Sequence, residues 1–193
     1  MGRKGDAKRQ EILDAAKKML LTGGPEGLVL RELADTLGIT HGNLQYYYST
    51  RNALMVAIFD QELARYTDAM KRGVASTSTR RGRLAAIIDS GFAMLREPET
   101  ALWRMLASMA DHNPEMRAIL KKENLLYERV LADELRAIAP SLSLQRRKHV
   151  AKIIRAILDG VGMQYAYEVP NGAELRALES EIKAAILSLI ESK

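Results

Sequence analysis

Cysteine is absent from this 193-residue chain, which excludes disulfides and thiolate metal sites and is compatible with a reducing cytoplasm. Histidine is scarce, with three residues. His149 lies in a basic run, QRRKH, as a solvated residue. His112 lies in DHNP, with Asp111 and Glu115 nearby, and reads as part of a helix-ending turn rather than a metal site. No Gly-rich phosphate loop of the required spacing occurs, and no Ser/His/Asp ordering stands out. The chain therefore offers no catalytic set and implies no metal or cofactor. It also lacks any run of about 18 apolar residues, the length a membrane-spanning helix needs. Its N-terminal GRKGDAKRQE lacks the apolar centre of a signal peptide. The expected location is the cytoplasm. Charge is not strongly one-sided: the net value of +5 does not by itself mark a nucleic-acid binder. Alternating strand patterns and internal repeats are missing as well.

What is present is helix. Apolar residues make up 47%, enough for a substantial core, and recur at three and four residues through most of the chain. A first helix is expected over Ala7–Thr22, broken by Gly23, Gly24, Pro25 and Gly27. Two short helices follow, then one over Arg51–Arg72, with Ser49 and Thr50 as N-caps and Gly73 as its stop. VASTSTRRG reads as a linker and marks the domain boundary. Further helices are expected over Leu84–Glu97, Thr100–Ala110, Glu115–Ile138, from Ser143 to Tyr167, and over Ala173–Ser192. The fold class is thus all-α with nine helices, divided into residues 1–50, a connecting helix over 51–72, and a bundle over 73–193. The last two helices carry broader apolar stripes than a bundle edge needs, and Gly160 and Gly162 would permit a close helix approach. A homodimer through those two helices is expected; the alternative is that they close the chain's own core.

The stretch LRELADTLGITHGNLQYYY, from Leu30 to Tyr48, holds the two short helices. Leu30, Leu33, Ala34 and Leu37 form one stripe, and Gly38 can adopt the left-handed conformation that ends a helix. Thr40 can cap the next helix, whose inward face is Leu44 and Tyr48. A small residue, a turn glycine and a polar, aromatic second helix make a DNA-binding helix-turn-helix. His41, Asn43 and Gln45 are the candidate base readers, because Asn and Gln match the N6/N7 edge of adenine. The basic cluster Arg3, Lys4, Lys8 and Arg9 would sit beside this unit as an arm able to touch phosphates.

With EGLVLRELADTLGIT, a Gly-x-Leu, a cluster of aromatics and ST-R-NALM in place, the chain resembles the TetR family of one-component transcriptional regulators over about Lys8 to Ile58. LWRMLASMADHNPEMRAIL and ILDGVGMQ are similar to stretches found in members beyond that segment. The resemblance implies DNA contacts at Arg31, Thr40, Gly42, Tyr46, Tyr47 and Arg51, with Gly42 letting backbone approach DNA and Arg51 holding a phosphate. Val29 and Leu30 depart from it, standing where a hydroxyl residue often starts the second helix. The resemblance also implies a C-terminal ligand pocket. Phe92, Trp103, Met105, Met109, Tyr127, Met163, Tyr165 and Tyr167 are the candidates for lining it. The implied function is a homodimeric repressor released from a palindromic double-stranded DNA operator by a small apolar or amphipathic effector. Two alternatives stay open: an effector-independent regulator worked by protein partners, and a helical small-molecule binder.

Overall fold

A computed structural model of the chain describes residues 3–166 and 172–191. Among them it contains nine α-helices, one 3-10 turn and no strand. The helices are α1 (Arg3–Gly23), α2 (Leu30–Thr36), α3 (His41–Tyr47), α4 (Arg51–Ala75), α5 (Arg80–Met94), α6 (Thr100–Ala110), α7 (Pro114–Ile138), α8 (Leu144–Gln164) and α9 (Gly172–Glu191). Pro25–Gly27 forms the 3-10 turn. None of the helices is long and apolar enough to cross a membrane.

The chain divides into two compact units, each with its own core. Unit 1 is the chain up to Leu63 together with Ala101–Leu120. Its core takes Ile12, Ala16 and Leu20 from α1, Leu33 and Ala34 from α2, Leu44 from α3, and Leu54, Met55, Ile58 and Phe59 from α4. Leu102 and Leu106 of α6 are fully buried in the same core. The charged Glu62 is also buried, and Lys17 of α1 holds it at 3.0 Å; a carboxylate removed from water needs such a partner. Unit 2 comprises Ala64–Thr100 and the chain from Lys121 onward. Met70, Ile87, Ile88, Phe92, Leu131, Leu135, Val150, Ile154, Leu175 and Ile186 form the centre of its core.

Several boundaries differ from the sequence reading. α1 begins at Arg3 rather than Ala7, so the basic N-terminal cluster is helical and not an extended arm. α4 passes through Gly73 to Ala75, and Thr79 caps α5 by accepting from the Gly82 N–H at 3.0 Å. The expected linker therefore shrinks to residues 76–79. The division between the compact units falls inside α4, after Leu63, not at residue 73. The cause is packing. The first half of α4 supplies core residues to unit 1 and the second half, with Met70 and Val74, supplies unit 2. Residues 101–120 join unit 1 because the α6 stripe is buried beside Phe59, whose ring lies 6.1 Å from that of Trp103.

The joint between α2 and α3 rests on one backbone conformation. Gly38 sits at φ 61, where a Cβ would crowd the following carbonyl, and no other atom lies within 4 Å of that Cβ position. Gly38→Ala is expected to destabilise the protein by about 1 kcal/mol through the backbone alone, read as a lower thermal midpoint. An unchanged midpoint would show that the turn tolerates another conformation.

Candidate functional site

The turn carrying the recognition element is closed at both ends by main-chain and hydroxyl chemistry. Beyond α2, the Ile39 N–H donates to the Ala34 carbonyl at 3.0 Å and the Gly38 N–H to the Asp35 carbonyl at 3.1 Å. This paired closure of a helix C-terminus around a left-handed glycine is the Schellman motif. Thr40 then adopts an extended backbone, and its hydroxyl accepts from the Asn43 N–H at 3.1 Å, so the expected cap forms. Leu44 is fully buried and Tyr48 nearly so, which settles which face of α3 points inward. At the other end of the motif, Val29 precedes α2 with no side-chain cap.

That packing turns the polar side of α3 outward. Thr40, Gly42, Asn43, Gln45 and Tyr46 are exposed, as is Arg31 on α2. Tyr46 is 73% exposed, and its ring meets Tyr47 edge-on at 5.3 Å. Tyr47 is half-buried, so the three successive tyrosines grade from solvent to core. His41 is half-buried, with Nδ1 sealed from solvent and without a hydrogen-bond partner. Only its Nε2 can reach outward.

Arg51, expected to hold a phosphate, is also engaged within the fold. Its guanidinium is turned onto the loop before α2, with Nε donating to the Leu28 carbonyl at 3.1 Å and Nη2 to the Pro25 carbonyl. Both carbonyls belong to a segment with few helical partners, so Arg51 ties the 3-10 turn to the start of α4.

The expected pocket residues are divided between the cores of the two units. Trp103, Met105 and Met109 pack against the unit 1 core, whereas Phe92, Tyr127 and Tyr165 belong to or pack against the unit 2 core. Met163 is 66% exposed. Tyr167 lies outside the described residues. A stripe of large side chains on one helix cannot reveal which of two cores receives it.

Unit 2 contains a polar thread that the sequence reading did not identify. The hydroxyls of Tyr66 (α4) and Tyr127 (α7) lie 2.9 Å apart, and their rings stack with centroids at 5.5 Å. The Arg155 guanidinium of α8 lies 5.5 Å from the Tyr127 ring centroid, within cation–π range, and its Nε donates to Asp159 at 3.0 Å. Burial pushes the Tyr127 phenol well above the ordinary tyrosine pKa, with Tyr66 and Asp159 adding to the rise and Arg155 opposing it. Burial raises Tyr66 too, partly offset by hydrogen bonds with Tyr127 and Ser90. Tyr66 occupies a core-facing slot of the α4 stripe, and a phenol in such a slot needs a polar partner; that was the available signal.

A capped and glycine-closed pair of short helices, presenting Asn, Gln and Tyr outward from a helical core, defines a helix-turn-helix DNA-binding protein. Comparison with known proteins agrees. Residues 12–58 match the family model "Bacterial regulatory proteins, tetR family", and residues 80–188 match "BetI-type transcriptional repressor, C-terminal". The HTH-type transcriptional regulator BetI of Rhizobium meliloti is 27% identical over 160 residues, covering 80% of this chain and 75% of the relative. Among solved structures, FadR from Bacillus subtilis in complex with stearoyl-CoA superposes with a TM-score of 0.75 at 17% identity, over 93% of this chain and 97% of that one. A transcriptional regulator from Saccharomonospora viridis in complex with choline gives 0.74 at 15% identity, over 97% of each chain. The chain belongs to the TetR family of transcriptional regulators, with a C-terminal region of the BetI repressor type.

Two outcomes are expected. A Cβ at Gly42 would meet nothing within 4 Å, so Gly42→Ala should raise helix stability by about 0.5 kcal/mol. It should also weaken DNA binding where that backbone meets a duplex; equal affinity would remove Gly42 from the interface. The buried phenols give the alkaline limb of stability. Unfolded tyrosines ionise near the ordinary value of 10.0, before the folded Tyr66 and Tyr127 do. The folded state then holds more protons, so stability is full below that pH and is lost as pH rises through the raised values. Tyr127→Phe should flatten this loss in pH-dependent unfolding; an unaltered slope would show that the pair does not set it.

Proposed function

We propose that this TetR-family protein is a homodimeric, ligand-responsive repressor in the cytoplasm, without enzymatic activity. Two copies of α3 would read the two halves of a palindromic operator. The observation that carries the reading is the outward face of α3, locked by the Gly38 closure and the Thr40 cap. Asn43 and Gln45 are proposed to read base edges, with His41 contributing through Nε2. Arg31, Thr40, Tyr46 and Tyr47 are proposed to contact phosphates, and Gly42 to admit them to the backbone.

The dimer is supported by what α8 and α9 leave uncovered. Ile153, Ile157, Leu178, Ile182 and Leu189 are only half-buried, and nothing lies within 4 Å of a Cβ at Gly160. A second copy of the same two helices would cover these groups. The effector is proposed to be a small amphipathic molecule bound in unit 2. The structural neighbours in complex with stearoyl-CoA and with choline support a small-molecule effector, and the Tyr66–Tyr127 hydroxyls supply polar groups amid the apolar surface of unit 2. α4 and α7 each carry residues of both units and are the proposed route of coupling, worth a few kcal/mol at about the usual scale.

Selection of bound sequences from a random duplex pool at near-physiological salt tests this reading. Enrichment of one palindrome with half-sites about one helical turn apart is expected. Folded protein that enriches no sequence would overturn it.

A further inference from the structure

We propose that Arg9 is a positioning residue for the DNA-binding face, fixing the C-terminal end of α3 and, through Tyr47, the exposed Tyr46 phenol, without touching DNA itself. The proposal rests on α3 being the DNA-contacting helix.

Arg9 lies on α1, 38 residues before Tyr47, and its Nη1 donates to the Tyr47 carbonyl at 3.2 Å. That carbonyl is in the last turn of α3, where helical acceptors lose their partners. The guanidinium carbon lies 5.7 Å from the Tyr47 ring centroid and 5.6 Å from that of Tyr48, both within cation–π range. Arg9 also opposes the upward push that burial gives the Tyr48 phenol. One half-buried cation thus serves a carbonyl and two rings.

From there the contacts lead outward. Tyr47 meets Tyr46 edge-on, and Tyr46 is the most exposed large hydrophobic side chain among the described residues. Apart from the buried Tyr48, the other supports of α3 act elsewhere. The Thr40 cap holds its start and Leu44 its middle. A helix of seven residues has too few internal hydrogen bonds to hold its last turn alone. Arg9 supplies the missing support from α1. The usual fate of a basic residue near the end of a DNA-binding domain is a phosphate contact, and here the same residue is turned inward.

The two roles separate by salt dependence. Neutralising a phosphate releases counterions, so removing a direct contact makes the slope of log affinity against log salt shallower by about 0.9. Removing a positioning residue lowers affinity and leaves the slope alone. The test uses full-length wild type, Arg9→Gln, Arg9→Lys and Tyr48→Phe. Each is titrated across a salt series against the selected palindrome and a random duplex of equal length.

Arg9→Gln is expected to weaken palindrome binding roughly tenfold at unchanged slope, with the random duplex much less affected. Arg9→Lys keeps the charge but not the planar fork, and should not restore the affinity. Tyr48→Phe keeps the buried ring, removes the phenol oxygen whose charge Arg9 favours, and should give a smaller loss in the same direction. It decides the matter if Arg9→Gln does not fold. A slope shallower by about one, full rescue by Lys, or unchanged affinity in the Gln and Phe variants would each overturn the proposal. Wild type that binds neither duplex would instead remove the DNA-contacting role of α3, and this proposal with it.

Discussion

A helix of seven residues has almost no stability of its own, and α3 is such a helix. Its nucleation cost has to be met from outside. Unit 1 is arranged to do this: Leu44 and Tyr48 anchor α3 in the core, and the Gly38 closure sets its angle of departure from α2. The Thr40 hydroxyl satisfies a donor at its start. Because these supports take up one side of the helix, the other side is free to be polar. The surface chemistry of Asn43, Gln45 and Tyr46 is therefore a product of the core beneath it.

The two cores solve different problems. The core of unit 1 is almost wholly apolar among the described residues, and the buried carboxylate of Glu62 is held against Lys17. An apolar, buried interior suits a part that must present fixed geometry to a rigid duplex. Unit 2 threads phenols and a guanidinium through its interior, linking α4, α7 and α8 by hydrogen bonds and ring contacts. Polar groups inside a core demand exact partners, so a change at one of them is felt by the others. Such an interior suits a part that responds to a ligand.

Most of the fold was legible in the sequence because it is written in short-range chemistry. Gly38, Thr40 and Ser143 act within a few residues of themselves, and each does what its type suggests. The apolar stripes also located every helix. What could not be read was the identity of distant partners. Trp103 and Phe92 look alike as pocket candidates, yet they fall in different cores. Arg51 has the sequence context of a phosphate ligand and is turned onto loop carbonyls. Arg9 sits in a basic cluster and points between two rings. In each case the deciding contact lies 23 or more residues away in sequence or in another helix, where periodicity carries no signal.

Trp103 is the only tryptophan in the chain, and it packs against the unit 1 core beside Phe59. It reaches that position from α6, more than fifty residues past the helix-turn-helix sequence that the core supports. Selectively excited indole emission is consequently a built-in optical reporter seated in the DNA-binding unit. Light emitted from this one side chain follows the packing of the unit 1 core, with no label attached.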